Sequence, residues 1–306
     1  MNKTVTILKT ILRIGIGAFF IVSAILKLLS LDQFELYIYS FNLINFSLSC
    51  LAARAIIACE LLVGALLIAK IKYKAAWWLA ILMLIGFSFL LVYVIIFRDD
   101  SNCHCMGDLV QIKPSLSLIK NIVAIALMLF IRKEEDYHFR GRIAVLVAIC
   151  VAAVAAPFAL FPTDNLYNFF TRSNSESYNE AELNSFLQDS VMQDIHLDKG
   201  NYIVGVVSSG CKFCHTGCLK MSEIAKINTL DSTRILYFIW GDSASVQQFR
   251  TETKSEPFLY VPINPLQALR ITNGAFPLFL FFHDGEVTKT ANLRQLTEKE
   301  VVTHLQ

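Results

Sequence analysis

The segment YIVGVVSSGCKFCHTGCLKMSEIAKI, residues 202–227, decides the fold of the second half of the chain. Its β-branched start predicts a strand over 202–207, and the spacing of its apolar residues then predicts an amphipathic helix over 211–227. Cys211 thus stands at the N-terminus of a helix, where free backbone N–H groups and the helix dipole favour a thiolate. Cys214 follows one turn later, where it can resolve a mixed disulfide formed at Cys211.

Strand and helix patterns alternate through the remainder of this half. We expect strands over 234–240, 257–261, 277–282 and 286–290, and helices over 179–187, 243–253 and 297–305. A His-Asp-Gly turn at 283–285 indicates a hairpin between the last two strands, and Thr297 followed by Glu300 indicates a capping box. Alternating strands and helices predict an α/β layered domain, preceded by a polar linker over 163–179.

The first half of the chain is too apolar for a soluble domain. The whole chain is 55% hydrophobic and only 17% charged. Five stretches approach the roughly 20 apolar residues that cross a bilayer, over 7–29, 47–69, 75–97, 116–131 and 143–161. The sequence therefore predicts a multi-pass membrane protein, with four bundled helices and a fifth transmembrane helix that leads to the α/β domain.

Basic residues are divided unevenly between the connections. They occur near the N-terminus and in the second and fourth connections: Lys3, Lys9, Lys70, Lys72, Lys74, Arg132, Lys133, Arg140 and Arg142. The first connection, 31–46, contains none. Because positive loops stay in the cytoplasm, we expect an inner-membrane protein with a cytoplasmic N-terminus and a periplasmic, extracytoplasmic C-terminal domain.

This orientation places both close-spaced cysteine pairs, Cys103/Cys105 and Cys211/Cys214, in the same oxidising compartment. The second half of the chain has no basic stretch typical of nucleic-acid binding. The expected partners are therefore the lipid bilayer and extracytoplasmic client proteins that carry thiols or disulfides, with no nucleic acid.

The tripeptide Cys103-His104-Cys105 lies in the third connection, just outside the third span. Two cysteines separated by one residue form a tight ring when joined, and strained disulfides are easily reduced. A redox role is the preferred interpretation, and a metal site with His104 as a third ligand is the alternative. His104 also places a titratable group beside the thiols, where it can assist thiolate formation.

Charged residues inside the spans indicate either a function or ion pairs between helices, because hydrocarbon makes isolated charges costly. Counting residues puts Arg13 and Glu60 at similar depths, so we expect them to pair. Arg54 is six residues from Glu60 and on another helix face, but it shares a face with Cys50. Lys27 lies near the outer end of the first span, where snorkelling to the interface is the alternative to a functional role.

From about residue 180 to its end, the chain resembles the thioredoxin superfamily in its strand, CxxC and helix order. Phe276-Pro277, before an apolar strand, matches the cis-proline that lies against the active-site disulfide in that family. The extra segment 243–269 is similar to one in membrane-anchored TlpA/ResA-type thioredoxins. The resemblance implies that Cys211 is the attacking thiol and Cys214 the resolving thiol. One departure is that Lys212-Phe213 stand where the family often has a proline, which leaves the direction of reaction open.

Over about residues 5–132, the chain resembles the DoxX/MauE membrane family. The matching residues are Arg13, Gly17, Phe20, Lys27, Phe34, Glu60, Leu61, Gly64, Cys103, Cys105 and Gly107. The usual pattern of the family is Cys-Gly-Cys-Phe-Gly, and here His104 and Met106 replace Gly and Phe. The resemblance implies a four-helix membrane bundle connected with extracytoplasmic disulfide formation and, in some relatives, with a quinone.

The predicted domains are a membrane bundle, a fifth transmembrane helix, a linker and a thioredoxin-like domain, over 1–135, 136–162, 163–179 and 180–306. The predicted activity is that of a membrane thiol–disulfide oxidoreductase. It relays electrons between client proteins, the Cys211/Cys214 pair and the Cys103/Cys105 pair, with Pro277, Phe276, His104, Glu60, Arg54 and Lys27 in support. No cofactor is firmly indicated, and a membrane quinone is the candidate carrier. The oxidase direction is preferred.

Two alternatives remain open on the sequence. The first is a disulfide reductase of the TlpA/ResA kind. The second is a membrane-anchored metal- or haem-binding protein, because Cys211–His215 is also a CxxCH string, the attachment signature of c-type haem. Cys211, Cys214, His215 and Cys218 could also supply a zinc site by ligand type, although one helix would not readily wrap all four around an ion. Cys218 is otherwise expected to be a small core residue.

Overall fold

The computed structural model describes residues 3–98, 102–103, 105–107, 110, 112–132, 136–164, 177–193 and 195–306. The chain divides into two compact units. The membrane unit consists of Met1–Ile38 and Ser47–Thr163, and the α/β unit consists of Tyr39–Phe46 and Asp164–Gln306. Most of the expected linker, residues 165–176, lies outside the described residues.

Six helices form the described part of the first 162 residues. They are α1 (Lys3–Leu29), α2 (Leu31–Tyr39), α3 (Phe46–Ala69), α4 (Tyr73–Phe97), α5 (Pro114–Phe130) and α6 (Arg142–Leu160). Of these, α1, α3, α4 and α6 are long and apolar enough to cross a membrane, and α5 is a shorter apolar helix of 17 residues. Each expected span coincides with one of these helices, whereas α2 was not predicted.

Helices α1 and α3 cross in close contact at two glycines, Gly17 and Gly64. A Cβ atom on Gly17 would lie 2.9 Å from the carbonyl oxygen of Gly64, and one on Gly64 would lie 2.6 Å from the carbonyl oxygen of Gly17. The two backbones are thus in direct contact at this level. Small residues commonly permit such close helix packing in membranes, where burial from water supplies no driving force.

Polar side chains tie α4 to α5 inside the same unit. The indole N–H of Trp77 donates to the carbonyl of Met128 at 2.7 Å, and the hydroxyl of Tyr73 donates to the carbonyl of Ile131 at 2.7 Å. Both side chains are buried. These bonds satisfy polar groups that would be costly to leave unpaired in an apolar environment.

The α/β unit is built on a five-stranded sheet of order β3-β2-β1-β4-β5. Its strands are β1 (Asn201–Ser208), β2 (Ile235–Trp240), β3 (Leu259–Pro262), β4 (Leu278–His283) and β5 (Glu286–Ala291). The first three strands run parallel, whereas β4 is antiparallel to both β1 and β5. The helices are α7 (Glu180–Leu187), α8 (Lys212–Ile227), α9 (Ser243–Glu252), α10 (Pro265–Ile271) and α11 (Glu298–Leu305). This is a thioredoxin-like arrangement, so the expected α/β fold is confirmed.

Local signals explain most element boundaries, and two details differ from expectation. Helix α10 was not predicted, although Asn264 caps its N-terminus and Pro265 opens it. The hydroxyl of Thr297 does accept a hydrogen bond from the backbone N–H of Glu300. In a capping box, the Glu300 carboxylate would accept a hydrogen bond from the backbone N–H of Thr297. Here that carboxylate binds Lys289 on β5 instead.

Candidate functional site

Cys211 occupies the N-cap of α8, directly after the loop that leaves the central strand β1. The backbone N–H of Cys211 donates to the carbonyl of Ser208 at 3.1 Å, which fixes the turn. The sulfur of Cys211 accepts a hydrogen bond from the backbone N–H of Cys214 at 3.3 Å. Cys211 is half-buried and Cys214 is completely buried. The structure therefore presents one sulfur of the pair and covers the other.

The two thiols of this pair differ strongly in acidity. A hydrogen bond from the Cys214 side chain lowers the pKa of Cys211 to about 6, helped by the backbone N–H groups of Cys214 and Phe213 and by the charge of His215. The same hydrogen bond and burial raise the pKa of Cys214. At neutral pH, Cys211 is thus a thiolate beside a protonated Cys214, the arrangement that a nucleophile and its resolving thiol require.

His215 is held between two acceptors. Its Nε2 lies 2.9 Å from the carbonyl oxygen of Ser209, and its Nδ1 lies 3.3 Å from a carboxylate oxygen of Glu252 on α9. Its ring packs edge-on against Phe249, with ring centres 4.5 Å apart. A carbonyl and a carboxylate only accept hydrogen bonds, so both of these neighbours face the ring nitrogens of His215 as acceptors. Sequence reasoning considered His215 only as a haem or zinc ligand, a role for which neither nitrogen is available here.

The Phe276–Pro277 peptide bond is cis, as the thioredoxin resemblance implies. Pro277 packs against α8 at Gly217, where an added Cβ atom would lie 3.1 Å from the Cγ of Pro277 and 3.1 Å from the Cζ of Phe279. An open groove beside Cys211 is lined by Ser209, Gly210, Trp240, Gly241, Leu269 and Phe276. Cys211 itself also lines this groove.

Cys218, one turn beyond Cys214, is completely buried, and burial raises its pKa. This setting is that of a core residue rather than of a nucleophile. Among the described residues, no three His, Cys, Asp or Glu side chains are grouped so that they could hold a metal ion.

The Cys103/Cys105 pair lies in the connection between α4 and α5. The backbone N–H of Cys105 donates to the sulfur of Cys103 at 3.3 Å, and that sulfur lies 2.9 Å from the hydroxyl oxygen of Ser117. A hydrogen bond from the Cys105 side chain, with help from Ser117, lowers the pKa of Cys103 to about 6. The same bond and burial raise the pKa of Cys105. This pair therefore repeats the difference in acidity between Cys211 and Cys214, although here the more acidic thiol, Cys103, is the buried one. His104 lies outside the described residues.

The loop carrying these cysteines packs directly on α1. Gly107 has a φ of +68°, and a Cβ atom there would clash with the carbonyl oxygen of Leu26. The carbonyl oxygen of Cys105 accepts a hydrogen bond from the hydroxyl of Ser23 at 3.1 Å. Both contacts hold Cys105 against the C-terminal end of α1.

Lys27 and Glu60 form a buried ion pair near Cys105. The prediction that Arg13 pairs with Glu60 is therefore wrong. The ammonium of Lys27 lies 2.7 and 2.9 Å from the carboxylate oxygens of Glu60, and both side chains are nearly inaccessible to solvent. Arg13 instead donates to the backbone carbonyls of Leu67 and Ile68. Lys27 therefore does not snorkel to the interface.

The glycine crossing explains this pairing. Gly17 lies level with Gly64 in antiparallel helices, so Arg13 comes level with residue 68, about 12 Å of helix rise from Glu60. Helical side chains also tilt towards the N-terminus of their helix. That tilt carries the Arg13 side chain further from Glu60, towards the N-terminus of α1, and brings the long side chain of Lys27 back to the level of Glu60.

Arg54 contacts a different set of residues. Its guanidinium binds Glu35 on α2 and the carbonyl of Cys50, and it donates twice to the carbonyl of Phe161, at 3.1 and 3.0 Å. The Cys50 thiol lies 3.1 Å from Glu35. Arg54 thus joins α2 and α3 to the end of α6. Sequence reasoning placed Cys50 and Arg54 on one face but missed Glu35, because α2 was not predicted.

Known proteins resemble this chain in both halves. The family described as methylamine utilisation protein MauE matches residues 5–132, whereas the likeness to DoxX stays a prediction. A secreted Mycobacterium tuberculosis disulfide oxidoreductase homologous to E. coli DsbE is 17% identical, with a TM-score of 0.29, over 36% of this chain and 82% of its own. A TM-score this low carries no argument about the fold. The thioredoxin-like assignment rests instead on the strand order of the sheet.

A relative of nearly full length is Protein TlpB of Flavobacterium psychrophilum. It is 30% identical to this chain over 336 residues, which cover 92% of this chain and 90% of the relative. Multiple apolar helices, a thioredoxin-like domain and two thiolate–thiol pairs are the features of a membrane thiol–disulfide oxidoreductase. Because the likeness runs along almost the whole of both chains, this protein belongs to the same family as TlpB.

Proposed function

We propose that the protein is a membrane enzyme that relays electrons between client proteins and the membrane through its two cysteine pairs. One observation carries the proposal: each pair combines a thiol whose pKa is lowered to about 6, Cys211 or Cys103, with a partner whose pKa is raised. Two such pairs in one chain support a series of dithiol–disulfide exchanges.

In the oxidase direction, which we favour, a client thiolate attacks the Cys211 sulfur of the Cys211–Cys214 disulfide. The S–S bond breaks, Cys214 leaves as a thiolate and takes up a proton, and a mixed disulfide joins the client to Cys211. A second client thiolate then attacks the client sulfur of that bond, which releases the oxidised client and the Cys211 thiolate. Phe276 and Pro277 flank the Cys211 site, and we propose that they position the client.

The Cys211 thiolate next attacks the Cys103–Cys105 disulfide, and Cys214 resolves the new mixed disulfide. Two electrons thereby pass to Cys103 and Cys105. A membrane quinone is the proposed acceptor, since it takes up two electrons and two protons and leaves as the quinol. We propose that His104 assists thiolate formation at this pair. The reductase direction runs the same steps backwards.

We propose that Lys27 and Glu60 act at the Cys103/Cys105 pair. Their hydrogen bonds continue through Ser23 to the carbonyl oxygen of Cys105. For Arg54 we propose a positioning role, because its hydrogen bonds join Glu35 and Phe161 and hold the end of α6. The proposed domain limits remain 1–135, 136–162, 163–179 and 180–306.

The uneven distribution of basic residues among the connections supports the proposed location. We place the protein in the inner membrane, with its N-terminus in the cytoplasm and its thioredoxin-like domain in the periplasm. Clients are then extracytoplasmic proteins that form or exchange disulfides. The oxidising compartment favours the oxidase direction.

An exchange assay with the purified full-length protein in detergent tests the activity. A reduced, unfolded test protein is supplied, and its disulfide formation is followed with and without a quinone. Cys211→Ser is expected to abolish the reaction, whereas Cys150→Ala, a cysteine within α6, is expected to leave it unchanged. Activity that persists in Cys211→Ser contradicts the proposal. So does a stoichiometric bound metal, or a Soret band, that is lost with Cys211 and Cys214.

The direction of electron flow is read separately in cells. Thiol labelling of the resting protein is expected to find Cys211 and Cys214 mainly as the disulfide. A mainly reduced pair would assign the protein to the reductase direction.

A further inference from the structure

Ser23, Lys27 and Glu60 form a buried chain of hydrogen bonds in the membrane unit. The Lys27 ammonium uses three donors: one to the Ser23 hydroxyl at 2.7 Å and one to each Glu60 carboxylate oxygen, at 2.7 and 2.9 Å. The Ser23 hydroxyl in turn donates to the carbonyl oxygen of Cys105. The network therefore begins at a buried carboxylate and ends at a redox cysteine.

Such a pair is poorly explained as a means of stabilising the bundle. Removing two charges from water costs several kcal/mol per ion, and apolar residues of similar size often stabilise a buried site as well or better. Ionisable residues inside spans are accordingly rare and commonly lie on proton or substrate pathways. Lys27 is 1% exposed and Glu60 is 2% exposed, so this cost applies in full.

The surroundings join the network to the Cys105 side chain. A small cavity is lined by Ser23, Lys27, Glu60 and Cys105, with Phe19, Phe20, Leu84, Phe87, Lys120 and Asn121 as its other walls. The Phe87 and Phe34 rings face the Lys27 ammonium with ring centres 5.6 and 5.7 Å away. The apolar walls restrict access of water. Two ammonium groups border the cavity together with Cys105: Lys27, which is buried, and Lys120, which is only half-buried.

Chemistry at the cysteine pair requires a proton at this place. When the Cys103–Cys105 disulfide is reduced, one sulfur forms the new bond and the other leaves as a thiolate. Cys103 is stable as a thiolate, whereas Cys105 is not, because its pKa is raised by its hydrogen bond with Cys103 and by burial. Thiols of high pKa leave slowly, so departure of Cys105 needs a proton donor.

We infer that Lys27, held by Glu60 and Ser23, donates this proton to the Cys105 sulfur when the disulfide is reduced. The inference rests on the proposed redox function of Cys103 and Cys105. Cys105 leaves in one of the two exchanges that reduce the disulfide, whichever sulfur is attacked first. In that exchange the attacking thiolate bonds to the sulfur joined to Cys105, the bond to Cys105 breaks, and the proton moves from Nζ of Lys27 to Cys105. Neutral Lys27 then takes up a proton from the outer solution, which restores the ion pair with Glu60.

The test separates proton donation from charge. In the full chain carrying Cys211→Ala and Cys214→Ala, the Cys103–Cys105 disulfide is reduced with dithiothreitol, and the rate is followed by thiol labelling. Lys27→Arg keeps the positive charge and the pair with Glu60, but a guanidinium does not release a proton. The expected result is a rate lower by about 100-fold, with an unchanged midpoint potential. Arg13→Lys, a matched exchange on the same helix, is expected to react at the normal rate.

A second variant guards against misfolding. Lys27→Gln combined with Glu60→Gln removes both charges and leaves no unpaired ion, and it is expected to be as slow as Lys27→Arg. A normal rate in Lys27→Arg overturns the inference, because charge alone would then be sufficient. A slow rate with a shifted midpoint potential also overturns it, because the substitution would then have changed the stability of the disulfide rather than proton donation. If the unsubstituted pair forms no disulfide at all, the proposed function fails instead.

Discussion

The Nδ1 atom of His215 lies 3.3 Å from a carboxylate oxygen of Glu252, while the opposite ring nitrogen lies 2.9 Å from the carbonyl oxygen of Ser209. The imidazole ring is thereby held next in sequence to Cys214, on the first turns of the helix that Cys211 caps. Glu252 comes from α9, within the segment that separates the CxxC helix from the cis-proline strand. The inserted segment therefore contributes to the electrostatics of the redox site.

The reactivity of Cys211 is expected to vary with pH as the fraction of Cys211 present as thiolate, and the pKa of this thiol is about 6. Because this pKa is lowered, the thiolate is populated above pH 6 and is lost as the pH falls through that value. The rate of alkylation by iodoacetamide, measured on the reduced full chain by peptide mass spectrometry, should therefore rise through pH 6 and level off by about pH 7. A midpoint at the ordinary thiol value, about 8.5, would contradict the structural explanation.

Replacing His215 should reduce this reactivity, since its charge helps to lower the Cys211 pKa. His215→Gln is expected to slow alkylation of Cys211 at pH 6 by about twofold, because fewer molecules carry the thiolate. Glu252→Gln should act in the same direction, because it removes the carboxylate that lies against Nδ1 of His215. His283→Gln is the matched control, since this exposed histidine also faces a carboxylate, that of Asp284, at 3.5 Å. An equal effect of all three variants would refute a specific role for His215.

The contact between α1 and α3 predicts different outcomes at two glycines on one helix. A Cβ atom at Gly17 would lie 2.7 Å from a side-chain carbon of Ile68 and 2.9 Å from the Gly64 carbonyl, whereas one at Gly15 meets nothing within 4 Å. Gly17→Ala should therefore lower the free energy of unfolding by about 1–3 kcal/mol. Gly15→Ala should leave it unchanged or slightly raised. Thermal unfolding in detergent measures both, and equal melting temperatures would rule out the close crossing.

A second glycine pair tests the packing of Pro277 on the cysteine helix. Gly217→Ala would place a methyl group 3.1 Å from both Pro277 and Phe279, whereas Gly210→Ala meets nothing within 4 Å. We expect Gly217→Ala to lower the melting temperature of the thioredoxin-like domain, at a cost of about 1 kcal/mol, and to slow client exchange. Gly210→Ala should melt like the unsubstituted protein. If Gly217→Ala melts normally and exchanges at the normal rate, Pro277 does not position the helix.

Local patterns were sufficient for much of this molecule. The strand and helix around Cys211 were predictable because apolar periodicity and N-terminal helix chemistry are properties of one short segment. The five apolar stretches followed from their length and composition. Partners set by tertiary contacts were not predictable in the same way. Glu60 pairs with Lys27 rather than Arg13 because the Gly17–Gly64 crossing fixes the register of the helices, which counting residues from span ends does not provide.

Two further partners were hidden for the same reason. Glu35 reaches Arg54 from a short helix with too few turns to give a clear pattern. Glu252 reaches His215 across 37 positions of sequence, and nothing in the intervening residues indicates that they approach. The cysteines were recognisable by spacing, whereas the groups that tune them were found only in the structure.

The relay between the two cysteine pairs is tested most directly by trapping its intermediate. In the full chain, Cys214→Ala removes the resolving thiol, so a mixed disulfide formed at Cys211 persists. Peptide mass spectrometry after acid quenching is expected to find Cys211 joined to Cys103 or Cys105, and also to client proteins. Cys211→Ala combined with Cys214→Ala should yield neither product. If Cys211 is recovered in no mixed disulfide with Cys103, Cys105 or any client, the relay is contradicted.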